Sequence, residues 1–132
     1  MGSSNMQVSG KVIVITGASM GIGEAVAKIF ADHGASVVLL SRDAERAEAA
    51  RGRIGHSERT LALACDVRNR EEIDRVVGLT LHHFQRIDVW INNAGHGILD
   101  SVSNVDIFVV LRESMARAGG YRLEKVNWTS GD

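Results

Sequence analysis

An α/β fold built on a doubly wound parallel sheet is what this sequence predicts, and three observations carry the prediction. Short apolar runs alternate with segments of helical period from Lys11 onward, the pattern of a parallel sheet covered on both faces. The first run, "KVIVIT", is continuous and β-branched, which marks a strand buried on both sides. A glycine cluster, "TGASMGIG", follows it and opens an amphipathic segment, so a strand turns tightly into a helix there.

The elements follow in order. "GIGEAVAKIFADHG" predicts the first helix, with Ile22, Ala25, Val26, Ile29 and Phe30 on one face and Gly34 as its stop. "SVVLL" is the second strand. "DAERAEAARGRIG" is the second helix, with Asp43 as N-cap and Gly55 as terminator. "TLALA" is the third strand. "NREEIDRVVGLTLHHF" opens with Asn69 and Glu72 in capping-box spacing and carries Ile73, Val76, Val77, Thr80, Leu81 and Phe84 on one stripe. Gly78 inside it weakens that helix by about 1 kcal/mol relative to alanine. "DVWIN" is the fourth strand.

After Gly95, "VDIFVVLRESMARAGG" reads as a helix, with Phe108, Leu111, Met115 and Ala118 on one side, and "YRLEKVNW" as a fifth strand. Right-handed crossovers would wind these elements into a sheet of about five strands in the order 3-2-1-4-5.

Composition bounds the partners. A chain of 132 residues suits one domain, expected over residues 10–132 behind a flexible polar leader at 1–9. A net charge of -1, with both signs interspersed, offers no footprint for nucleic acid or an anionic membrane. No apolar run approaches the roughly 18 residues that span a bilayer. A single cysteine, Cys65, rules out an intrachain disulfide and fits a reducing compartment, so a cytoplasmic protein is expected. No Cys/His spacing suggests a metal site.

Gly17, Gly21 and Gly23 carry the first functional signal. Without Cβ atoms the turn folds tightly and a pyrophosphate can approach the backbone amides at the positive end of the helix dipole. The cluster lacks the Lys-Ser/Thr of a P-loop, which disfavours nucleotide triphosphate hydrolysis. Asp66, Asn93 and Gly95 fall at the carboxyl ends of predicted strands, where ligands bind in open α/β sheets. Asn92 reads as scaffold, tying loops together.

The chain resembles the short-chain dehydrogenase/reductase family through "TGASMGIG", "CDV" at Cys65 to Val67 and "INNAG" at Ile91 to Gly95, in the family's order and spacing. The resemblance implies a Rossmann-type domain that binds NAD or NADP and transfers hydride between nicotinamide and a carbonyl or alcohol. It implies that Ser19, Met20 and Ile22 contact the phosphates and ribose, that Asp66 and Val67 hold the adenine, and that Asn93, Ala94 and Gly95 line the cofactor ribose. At the end of the second strand an acidic residue would bind the 2'-hydroxyl of NAD, whereas an arginine pairs with a 2'-phosphate. Arg42 stands there, so NADP is expected over NAD. The same arginine argues against an S-adenosylmethionine site, which wants an acid at that position.

Tyr121 and Lys125 have the types and spacing of the family's catalytic pair. A neighbouring ammonium favours the phenolate of a tyrosine that otherwise titrates near pH 10, which suits it to acid/base work. Their location does not match. Only 26 residues separate Gly95 from Tyr121, too few for a covering helix, a fifth strand and a serine loop. On a strand the two side chains would share a face but lie roughly 13 Å apart.

"KVNWTS" resembles instead the family's fifth strand and the serine after it. Ser130 is then the candidate that orients a substrate carbonyl, and Asn104 the candidate that organises a proton-relay water. The family's tyrosine and lysine would lie beyond, so the chain is expected to be a shortened member of doubtful turnover. The rival expectation is a noncatalytic dinucleotide-binding or interaction module. A sheet ending at a fifth strand exposes an edge, which favours a homo-oligomer.

Overall fold

A computed structural model describes residues 7–93. Four parallel strands, β1 (Val12–Thr16), β2 (Ser36–Ser41), β3 (Thr60–Ala64) and β4 (Val89–Ile91), form one sheet in the order β3-β2-β1-β4. They alternate with helices α1 (Gly21–Asp32), α2 (Ala44–Ile54) and α3 (Arg70–Phe84), and a single 3-10 turn at Ser57–Arg59 precedes β3. This is a Rossmann-type doubly wound sheet, and the first four positions of the expected order are those observed. The expected fifth strand and the helix before it lie outside the described residues.

Register shows why β1 reads as an unbroken apolar run. Val14 lies between Val38 of β2 and Trp90 of β4, so the strand has a neighbour on each side and a helical layer on each face. All five of its residues are buried. Val14, Val38 and Trp90 pack into one core with Ile73, Val76 and Val77 of α3. Ile13 and Ile15 point the other way, into a core with Ala27 and Ala31 of α1 and Ala50 and Ile54 of α2. Burying each such isoleucine contributes about 1.5–3 kcal/mol.

The predicted face of α1 is corrected by this packing. Ile22 is 64% exposed and Ile29 46% exposed, while Gly23, Ala27 and Ala31 are buried against the sheet. Val26 and Phe30 keep partial contact with the core. The reason is distance: small side chains let the helix backbone approach the sheet more closely than a row of isoleucines would. The stripe of α3 is as expected, with Ile73, Val76, Val77, Thr80 and Leu81 buried and Phe84 packed at its margin.

Polar side chains secure the ends of the elements. Asp43 caps α2 by accepting from the amides of Glu45 and Arg46, and Asn69 caps α3 by accepting from Glu71 and Glu72. The expected capping box closes differently: the Glu72 carboxylate accepts the Asp66 amide at 2.8 Å, in the turn before the cap. Asp88, nearly buried, accepts the Val12 amide at 2.8 Å and the Arg86 guanidinium at 2.6 Å, which pins β4 to the start of β1. Within the stretch expected as a leader, Val8 packs against the α1 side of the core, and its carbonyl accepts the Lys11 amide.

Candidate dinucleotide-binding site

The carboxyl ends of β1 and β4 meet where the strand order reverses, which is the ligand-binding crevice of an open α/β sheet. The loop leaving β1 turns through Gly17 at φ 62° and Gly21 at φ 60°, left-handed values that favour glycine. The Ala18 amide donates to the Leu40 carbonyl at 3.1 Å, and the Ser41 hydroxyl donates to Ser19 Oγ at 3.3 Å. The turn is thereby tied to the end of β2.

Gly23 lies so close beneath the turn that a Cβ there would collide with the Gly17 carbonyl and Asn93 Nδ2. Met20 occupies the N-cap position of α1 in extended conformation and supplies no side-chain cap. The amides of the first turn keep their donor capacity, and the positive end of the dipole faces the crevice mouth.

Across the crevice, Thr16 Oγ1 donates to Asn92 Oδ1 at 3.2 Å and accepts the Asn93 amide at 2.7 Å. Asn93 Nδ2 donates to the Gly17 carbonyl at 3.3 Å. Asn92 is fully buried in this joint, while Asn93 is half-buried and stands beside the glycine turn. The structure therefore brings Gly17, Gly21, Gly23 and Asn93 together.

Asp66 follows β3, where the Arg68 side chain holds both carboxylate oxygens, Nε to Oδ1 at 3.0 Å and Nη2 to Oδ2 at 2.9 Å. Hydrogen bonds from the Arg68 guanidinium and amide hold the Asp66 carboxyl below the usual carboxylate range, and the Arg42 charge adds to this. Val67 is buried in the core with Ile73, Val76 and Val77 of α3. Arg42 is exposed after β2 and forms no ion pair among the described residues. Ala94, Gly95, Asn104, Tyr121, Lys125 and Ser130 lie outside the described residues.

Two arginines at this edge were not singled out from the sequence. Arg68 sits two residues after Asp66, a local signal that charge patterning could have found. Arg53 comes from the last turn of α2 to bond Glu24 of α1, 29 residues away, and no spacing rule reaches that far. Among the described residues no cluster of His, Cys, Asp and Glu could hold a metal ion, and no helix is long and apolar enough to cross a membrane.

A family model described as "short chain dehydrogenase" matches residues 11–116. The chain belongs to this family. L-fucose dehydrogenase of Oryctolagus cuniculus is 36% identical over 93 residues, covering 70% of this chain and 32% of that protein. 11-beta-hydroxysteroid dehydrogenase A of Sesamum indicum is 38% identical over 110 residues, covering 82% and 32%. Among solved structures, the Brucella melitensis 3-ketoacyl-(acyl-carrier-protein) reductase complexed with NADH superposes with a TM-score of 0.65 at 35% identity, covering 84% of this chain and 49% of that one. A hydroxysteroid dehydrogenase from Escherichia coli gives 0.73 at 29% identity, covering 89% and 53%. The chain thus spans about a third of the length of these two curated relatives and about half of these two solved chains.

Proposed function

We propose that the chain binds NADP(H) along the carboxyl edge of its sheet and serves hydride transfer between nicotinamide and a small carbonyl or alcohol. The uncapped start of α1, set against Gly17 and Asn93 where the strand order reverses, carries this reading. Its free amides suit a pyrophosphate held by Gly17, Ser19, Met20, Gly21, Ile22 and Gly23. Asp66 and the Val67 backbone would take the adenine, and Asn93, Ala94 and Gly95 the ribose. Arg42, exposed beyond β2, is suited to a 2'-phosphate.

The relative that is a complex with NADH supports a dinucleotide on this fold, and Arg42 supports the phosphorylated form here. The cofactor supplies the hydride. Ser130 would orient the substrate carbonyl, and Asn104 would organise a relay water. A cytoplasmic setting and self-association through the sheet edge belong to the same reading.

A noncatalytic dinucleotide-binding module is the second reading, favoured by the position of Tyr121 and Lys125 too soon after Gly95. Titrating the chain with NADPH and NADH tests the cofactor. NADPH should bind about tenfold more tightly, and Arg42→Asp should erase that preference. Equal affinities would refute the assignment of Arg42. Incubation with NADPH and a carbonyl panel then separates the two readings, since binding without turnover supports the module. Substrate-dependent oxidation of NADPH that Tyr121→Phe abolishes would reinstate the Tyr121–Lys125 pair.

A further inference from the structure

Arg53 grips the Glu24 carboxylate through two bonds, Nε to Oε2 at 2.7 Å and Nη2 to Oε1 at 2.9 Å. The same Nη2 donates to the Ser19 carbonyl at 3.3 Å. Ser19 precedes α1 and Glu24 lies in its first turn, so one guanidinium from α2 spans the segment whose amides would receive the pyrophosphate. A fork of this kind fixes geometry as well as charge.

The charge has a consequence at this place. A carboxylate in the first turn is favoured by the helix dipole, but it also draws on the same positive potential that would hold an incoming anion. Left unpaired, Glu24 would repel a diphosphate bound one turn away. Arg53 cancels that charge from the side facing α2. The pair is mostly solvent-exposed at Arg53, so its contribution to global stability is small and its effect is local.

We propose that Arg53 is a positioning residue for the phosphate-binding turn, neutralising Glu24 and fastening the Ser19 carbonyl so that the first amides of α1 present an anion site. This rests on the dinucleotide reading above. It assigns a role in cofactor binding to a residue on α2, outside the glycine turn itself.

The test uses the 132-residue chain as wild type, Arg53→Gln, Glu24→Gln and the double variant, with Lys28→Gln as control. Lys28 pairs with Asp32 near the other end of α1, so its loss removes the same charge away from the turn. NADPH affinity is measured by fluorescence titration at low and moderate salt, and amide hydrogen exchange of residues 17–23 is followed without ligand. Arg53→Gln should raise the Kd about three- to tenfold, more at low salt, and speed exchange in the turn. The double variant should recover the part of the lost affinity that the unpaired carboxylate removes, while exchange in the turn stays fast because the Ser19 carbonyl is still released. Lys28→Gln should stay within about twofold of wild type on the same scale.

An unchanged Kd in Arg53→Gln, or no recovery in the double variant, overturns the proposal. Should the wild type take no NADPH, the dinucleotide reading falls on its own. Unchanged exchange of the turn in Arg53→Gln then overturns the brace separately.

Discussion

Replacing Gly23 by alanine tests whether the small-residue face of α1 is what sets the crevice. A Cβ at this position meets the Gly17 carbonyl oxygen and Asn93 Nδ2 inside van der Waals contact, and lies 3.1 Å from Ala18 Cα. Two of those neighbours are backbone atoms that cannot swing aside. Overpacking of this kind costs roughly 1–3 kcal/mol, and displacing the bond from Asn93 Nδ2 to Gly17 costs about 1 more. Alanine returns about 1 kcal/mol of helix propensity, so the net destabilisation is about 1–3 kcal/mol.

Gly78→Ala in α3 is the matched control, since nothing lies within 4 Å of its added Cβ. It should stabilise by about 1 kcal/mol. Urea unfolding of both variants reads the two signs directly, and NADPH titration of Gly23→Ala should show weaker binding because the turn has moved. A Gly23→Ala protein as stable as Gly78→Ala, with unaltered NADPH affinity, would refute the close-packing argument.

Other predictions concern titrating groups. Burial pushes the Cys65 thiol up to about 12, with the nearby Glu72 carboxylate adding to the shift. At pH 8 its thiolate fraction should be about a thousandfold below that of an ordinary cysteine, so alkylation should require unfolding. Because the thiol is held protonated in the fold, its contribution to stability is complete below its unfolded value near 9 and declines as pH rises from there toward 12. A stability profile measured by urea unfolding should lose that alkaline decline in Cys65→Ala. For Asp66 the sign is opposite: Arg68 lowers its carboxyl, so the stabilisation is present above the unfolded value near 3.8 and is lost as pH falls through the folded one. Arg68→Ala should return the Asp66 carboxyl toward its ordinary value, read by NMR titration of its side-chain carboxyl carbon.

Element identity was legible because it depends on local patterns. The β-branched run of β1, the caps at Asp43 and Asn69 and the stripe of α3 each express a preference of a few adjacent residues. The face of α1 was misjudged for a related reason: periodicity weighs hydrophobicity, and Ile22 and Ile29 outweigh Gly23, Ala27 and Ala31 on any such scale. The structure inverts the order because helix-to-sheet distance rewards small volume. The bond from the Asp66 amide to the Glu72 carboxylate was not legible, because no sequence rule says which of two nearby donors is better aimed.

The order of the four described strands, the family and the residues of the glycine turn were legible in the sequence alone, since motif spacing and right-handed crossovers leave few alternatives. Only the tertiary structure decided what surrounds that turn. Asn93 against Gly17, and Arg53 bridging Glu24 and Ser19, are contacts between or beyond elements. Such contacts depend on where packed helices place side chains distant in the chain, and that placement follows from core volume and sheet register.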